Sequence, residues 1–127
     1  MATDIHNKTV LVIDDSTTNV VLLEAILNNK GFNIDTALSV KEAYSLMAKK
    51  KPNLILLDLL MPRINGYEFL KELKSDIKNN DIPVIVISAL SDNENVQKAL
   101  QLGATDFIKK PVDIQQLLEK VNQELNK

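Results

Sequence analysis

Residues 54–61 read LILLDLLM, one aspartate among seven apolar side chains, and Pro62 follows. An ionised carboxylate taken out of water without a partner costs several kcal/mol, about a third or more of a small domain's stability. Asp58 therefore either closes a buried strand at a solvent-facing end or is kept for its chemistry. The apolar run before it is too short for a helix and too continuous for a strand with one wet face. It is predicted as a strand, Asn53–Leu57, buried on both sides.

Two further runs share this character. Thr9–Asp14 (TVLVID) and Pro83–Ile87 (PVIVI) are β-branched and apolar, and the first ends in acid. Between the runs the periodicity changes to that of helices. A helix is predicted over Thr17–Asn29, with Gly31 placed for a left-handed cap. Phe32–Ala37 is a weaker strand. Ser39 and Glu42 form an S-x-x-E capping box that opens a helix to Lys50, and Pro52 prevents its continuation. Further helices are predicted over Gly66–Asp76, with Phe69, Leu70 and Leu73 on one side, and over Asn93–Leu102, closed by Gly103. Asp106–Lys109 is a short strand. Asp113 caps a last helix whose Ile114, Leu117, Leu118 and Val121 recur at helical spacing. Five strand–helix pairs with apolar strands imply a parallel sheet covered by helices on both faces.

The chain's 127 residues and 45% apolar content fit one domain of ordinary size, expected to span 1–127 with its core over about 8–125. Net charge is −2, without the basic footprint of a nucleic-acid-binding surface. The absence of cysteine removes disulfides and thiol chemistry. No segment is apolar enough to span a membrane and the N-terminus lacks a signal-peptide core, so a cytoplasmic location is expected.

Polar residues collect where the strands end, which is where sites in open parallel sheets lie. The first strand ends Asp14-Asp15, the third Asp58, the fourth Ser88, and the fifth runs into Lys109-Lys110-Pro111. Each has an ordinary reading: an N-cap, a loop acid, a small residue at a turn, a solvated lysine pair. If these strands are neighbours, three carboxylates, a hydroxyl and an ammonium converge in a single crevice. A divalent cation with oxygen ligands, Mg²⁺ above all, would relieve the repulsion. A carboxylate nucleophile beside such groups points to an aspartyl-phosphate.

These pieces closely resemble the receiver domain of two-component response regulators: VLVIDDS at 10–16, LILLDLLMPRINGYEF at 54–69, VIVISA at 84–89 and GATDFIKKP at 103–111. The resemblance implies a doubly wound, flavodoxin-like three-layer α/β sandwich, five parallel strands in the order 2-1-3-4-5 with five helices. It implies a phosphoacceptor signalling domain that modifies only itself and is not an enzyme acting on a separate metabolite. Asp58 would accept the phosphoryl group. Asp15 and Asp58 would hold Mg²⁺ with the backbone carbonyl of Leu60, and Asp14 through water. Ser88 and Phe107 match the switch pair, and Lys110 the phosphate-binding lysine, with a cis Lys110–Pro111 bond. A histidine kinase or histidine phosphotransfer domain is the implied partner, along with a downstream protein or fused domain, without direct nucleic-acid contact or membrane insertion. A receiver-like module that works without phosphorylation is the alternative.

Two departures stand out. Phe107 lacks the hydroxyl of the frequent Tyr. Leu60 and Leu90, two residues past the acceptor and past Ser88, are aliphatic where the attacking water passes, so they are expected to slow loss of the phosphate. On the first helix Leu22, Leu23, Ile26 and Leu27 share an arc predicted to be buried. Val21 lies on the other side, as a lone exposed residue or part of the docking face for the phosphodonor. Glu94, Gln97, Lys98 and Gln101 read as a solvated helix face, and His6 as inert. A haloacid-dehalogenase-type phosphatase would want an acid where Leu60 stands. A nucleotide-binding Rossmann protein would want a glycine-rich loop, and glycine occurs only at 31, 66 and 103.

Overall fold

The computed structural model describes residues 8–61 and 64–126, with the backbone alone at 60, 61 and 64. Five parallel strands form its main sheet: β1 (Thr9–Ile13), β2 (Asn33–Ala37), β3 (Leu54–Asp58), β6 (Val84–Ser88) and β7 (Asp106–Lys109). Their spatial order is β2-β1-β3-β6-β7, which is 2-1-3-4-5 when these five are counted alone. The helices are α1 (Thr17–Asn28), α2 (Val40–Lys49), α3 (Gly66–Ser75), α4 (Asn93–Gln101) and α5 (Ile114–Leu125). The architecture is the flavodoxin-like doubly wound sandwich. None of the described helices is long and apolar enough to cross a membrane.

Strand alternation sorts the core into two layers. Val10, Val12, Leu54, Leu56, Ile85 and Ile87 pack against α1 and α5 through Val20, Leu23, Leu27, Leu117 and Val121. The intervening Leu11, Ile13, Ile55, Leu57, Val84 and Val86 pack against α2, α3 and α4 through Ala43, Met47, Phe69, Leu70, Leu73 and Ala99. The three central strands are buried along their whole length, which is why they read as unbroken apolar runs. By contrast β2 is an edge strand, exposed at Asn33 and only partly covered at Ile34, Asp35 and Thr36, which accounts for its weaker pattern.

The helix ends follow local chemistry. Ser39 Oγ accepts from the Glu42 amide at 3.1 Å, and Asp113 Oδ1 from the Gln116 amide at 3.1 Å. Gly31 and Gly103 follow α1 and α4 with φ of 90° and 110°, the left-handed region that favours glycine.

The structure departs from the sequence-based expectations in three places. Leu60–Met61 (β4) and Ile64–Asn65 (β5) pair as a short antiparallel ribbon that apolar periodicity did not indicate. Leu22 is 55% exposed instead of buried, because the covered stripe of α1 is Val20, Leu23 and Leu27, one face at helical spacing. Ile114 is 50% exposed, because it opens α5 before the helix settles onto the sheet through Leu117, Val121 and Leu125.

Candidate functional site

The sheet reverses its winding between β1 and β3, and the C-terminal ends of these neighbours form the crevice where α/β sheets place their sites. Ile13 pairs with Leu57 in register, so Asp14 and Asp58 emerge side by side. Ligand oxygens of Asp14, Asp15 and Asp58 all lie within 4.8 Å of one another. Asp14 and Asp58 are 3% and 5% exposed, whereas Asp15 faces solvent. Lys110 enters from the turn after β7, its Nζ 3.2 Å from Asp58 Oδ2 and 3.6 Å from Asp14 Oδ2. Among the described residues, two of the three clustered carboxylates thus share one ammonium. Lys109, at the exposed end of β7, is not among the groups paired with them. The Lys110–Pro111 bond is cis.

The acid pair does not cap α1. Ser16 does, accepting from the Asn19 amide at 3.3 Å, and this frees both carboxylates for the crevice. Asp14 is held instead by the Ser16 amide on Oδ1 at 2.9 Å and by Asn19 Nδ2 on Oδ2 at 3.3 Å. Asn19 is a residue that strand-end reasoning missed. Its signal was the S-x-x-N spacing after the acid pair, which puts its side chain above Asp14.

Asp58 pairs in register with Ile87, so Ser88 follows immediately at the end of β6. Ser88 is fully buried, and its Oγ accepts from the Leu90 amide at 3.0 Å. Its carbonyl takes the Lys110 amide at 3.0 Å, which ties the lysine turn to the serine. Phe107 is partly buried against the core and lines a cavity of about 370 Å³ with Ser91, Asn93, Val96 and Lys109. The side chain of Leu60, the two residues between β4 and β5, and His6 lie outside the described residues. Leu90 is exposed beside Ser88.

Gly66, the first residue of α3, is needed for a close approach. A Cβ there would lie 2.8 Å from Leu59 Cα and 3.2 Å from the Asp58 carbonyl oxygen. The next residue, Tyr67, donates its hydroxyl to Asn95 Oδ1 on α4, and Lys98 Nζ sits 4.3 Å from the centre of its ring. Burial, then the charges of Asp92 and Glu94, push the Tyr67 phenol above its ordinary pKa. Between α1 and α5 runs an apolar groove of about 300 Å³, lined by Leu22, Leu23, Ile26, Val112 and Ile114, with Asp14 and Lys110 at one end.

The oxygen-rich cluster offers hard, anionic donors suited to a divalent cation such as Mg²⁺. A buried acid beside an ammonium and such a cluster is equipped to take and hold a phosphoryl group.

The response regulator receiver domain model matches residues 10–122. Protein PilH of Pseudomonas aeruginosa is 31% identical over 113 residues, covering 89% of this chain and 93% of PilH. Response regulator PleD of Caulobacter vibrioides is 38% identical over 112 residues, covering 88% of this chain and 25% of PleD. The crystal structure of the receiver domain of a DNA-binding response regulator from Colwellia psychrerythraea superposes with a TM-score of 0.90 at 25% identity, covering 95% of this chain and all of that one. The chain spans between a quarter and about half the length of several curated relatives it matches. With the sheet order, the acid crevice and the match over residues 10–122 all in agreement, the chain belongs to the response regulator receiver domain family, the phosphorylation-dependent signalling modules of two-component systems.

Proposed function

We propose that the chain takes a phosphoryl group from a phosphohistidine onto Asp58 and later returns it to water by its own chemistry. The observation that carries this is the Asp58 carboxylate, 5% exposed, with Lys110 Nζ at 3.2 Å and oxygens of Asp14 and Asp15 within 4.8 Å. An Asp58 oxygen attacks phosphorus as the phosphorus–nitrogen bond of the donor breaks, and the electron pair of that bond leaves on the imidazole. The product is an acyl phosphate. On the way out, water attacks phosphorus, the bond to Asp58 breaks, and the carboxylate and inorganic phosphate are released.

Transfer of this kind depends on positioning and charge neutralisation more than on covalent help from the protein. Lys110 supplies an ammonium to one phosphoryl oxygen. Asp15, Asp58 and the Leu60 carbonyl would hold Mg²⁺ directly, and Asp14 through water. When bound, the cation neutralises charge on the donor and acceptor oxygens. Ser88, which accepts from the Leu90 amide, turns its own hydroxyl to donate to a phosphoryl oxygen, and the Phe107 ring follows it toward the core. Without a hydroxyl, Phe107 couples by burial alone. Leu90, exposed beside Ser88, shields the acyl phosphate from water.

The donor would be a histidine kinase or phosphotransfer domain, in the cytoplasm, seated along α1, where Val21 is 56% exposed and Leu22 55%. The output, a separate target or a fused domain, receives the change on the α4–β7 side. Intact-mass measurement after incubation with Mg²⁺ and acetyl phosphate tests the central claim. The expected result is one phosphoryl group on the wild type and none on Asp58→Asn. An unmodified wild type, or equal modification of the variant, would overturn it.

A further inference from the structure

We propose that Asn19 is a positioning residue for the acid crevice, and that its amide orients Asp14 and so sets the affinity for Mg²⁺. This rests on the reading of the crevice as a Mg²⁺-dependent phosphoacceptor site. Asp14 is 3% exposed, so protein groups and not bulk water must satisfy its carboxylate. Oδ1 takes the Ser16 amide at 2.9 Å, a backbone donor that no side-chain substitution at 16 removes, proline apart. Oδ2 has two neighbours, Asn19 Nδ2 at 3.3 Å and Lys110 Nζ at 3.6 Å. Of these two, the amide is the donor that holds Oδ2 without competing for Asp58.

Lys110 serves both acids and is nearer Asp58, at 3.2 Å. Without the Asn19 donor, Oδ2 is left with the lysine. Rotation of the carboxylate toward that ammonium shortens their separation and draws the lysine from Asp58. The oxygens of the cluster then no longer share one centre. A neutral amide also lessens the mutual repulsion of three carboxylates without adding a charge that would repel a cation. The Asn19 side chain has no capping duty, since Ser16 caps α1 and the backbone amide of Asn19 is the group that receives the cap. Groups that orient metal-ligating side chains typically change metal affinity by about 10–100-fold when removed.

Calorimetric titration of the unphosphorylated chain with Mg²⁺ tests the proposal in wild type, Asn19→Leu, Asn19→Ala and Asn19→Gln, each checked for folding by urea denaturation. The expected result is an affinity about tenfold or more weaker in the Leu and Ala variants. Partial recovery is expected in the Gln variant, which restores an amide. Wild-type affinity in folded Asn19→Leu and Asn19→Ala would overturn the proposal, whatever their stability, because a purely structural role would move the denaturation midpoint alone. Wild-type protein that binds no Mg²⁺ would instead remove the reading of the crevice itself, and this inference with it.

Discussion

Replacing Asp15 with asparagine should make the metal-free protein more stable and the Mg²⁺-loaded protein less responsive. Oxygens of Asp15 lie within 4.8 Å of those of Asp14 and Asp58, and Lys110 pairs with the other two acids. Two unit charges at that separation repel by about 0.9 kcal/mol in bulk water and about 3.5 kcal/mol at an effective dielectric of 20. Asp15 faces solvent, so the lower figure applies, and its two repulsions, less the attraction of the nearby Lys110 ammonium, leave roughly 1 kcal/mol. Physiological salt, with a screening length of about 8 Å, removes roughly half of this, so the measurement is made at low ionic strength. The amide has the same shape as the carboxylate, so packing is unchanged.

Urea denaturation in EDTA at low ionic strength should therefore show Asp15→Asn more stable by roughly 1 kcal/mol, a rise in Tm of about 3–5 °C for a domain of this size. Asp58→Asn should gain less, since it also gives up the 3.2 Å pair with Lys110. Adding Mg²⁺ at ten times its dissociation constant stabilises the wild type by about 1.4 kcal/mol, and Asp15→Asn should lose most of that increment. If Asp15→Asn were no more stable than wild type in EDTA, mutual repulsion would not describe this crevice. Equal stabilisation of both proteins by Mg²⁺ would remove Asp15 from the ligand set.

Gly66→Ala sets a Cβ 2.8 Å from Leu59 Cα, and the overpacking cost of about 1–3 kcal/mol exceeds the roughly 1 kcal/mol that Ala contributes to helix formation. Urea denaturation should show net destabilisation, and the rate of modification by acetyl phosphate should fall because the strain lands on the residue after Asp58. Gly103→Ala must adopt φ near 110°, which should cost about 1 kcal/mol or more by the same assay. Its contact with the Lys74 stem adds little, since that side chain can move aside. Tyr67→Phe removes the hydroxyl that joins α3 to Asn95 on α4 and should lower stability by about 0.5–1.5 kcal/mol in the same denaturation assay. Leu90→Lys should shorten the phosphoryl lifetime several-fold, measured as decay of the modified mass, and an unchanged decay would dismiss the shielding role.

The sequence by itself determined the five strand–helix pairs, because the three central strands are buried on both faces and show it as unbroken apolar runs. It also marked the strand-end residues of the crevice, since an ionised group closes such a run only where water, a cation or a partner can reach it. Helix punctuation at Ser39, Asp113, Gly31 and Gly103 was legible because capping and positive φ are settled within four or five residues. Only the tertiary structure decided what depends on contacts distant in sequence. Leu22 and Ile114 have helical spacing suited to burial, yet the packing of α1 and α5 leaves them at the mouth of a groove. The β4–β5 ribbon is too short to display a period, and only backbone pairing reveals it. Asn19 reads as an ordinary polar helix residue until the fold sets its amide on Asp14. LILLDLLM points to Asp58 as a buried acid, but Lys110, 52 residues away in sequence, reaches its carboxylate only when β3 and β7 stand in the same sheet.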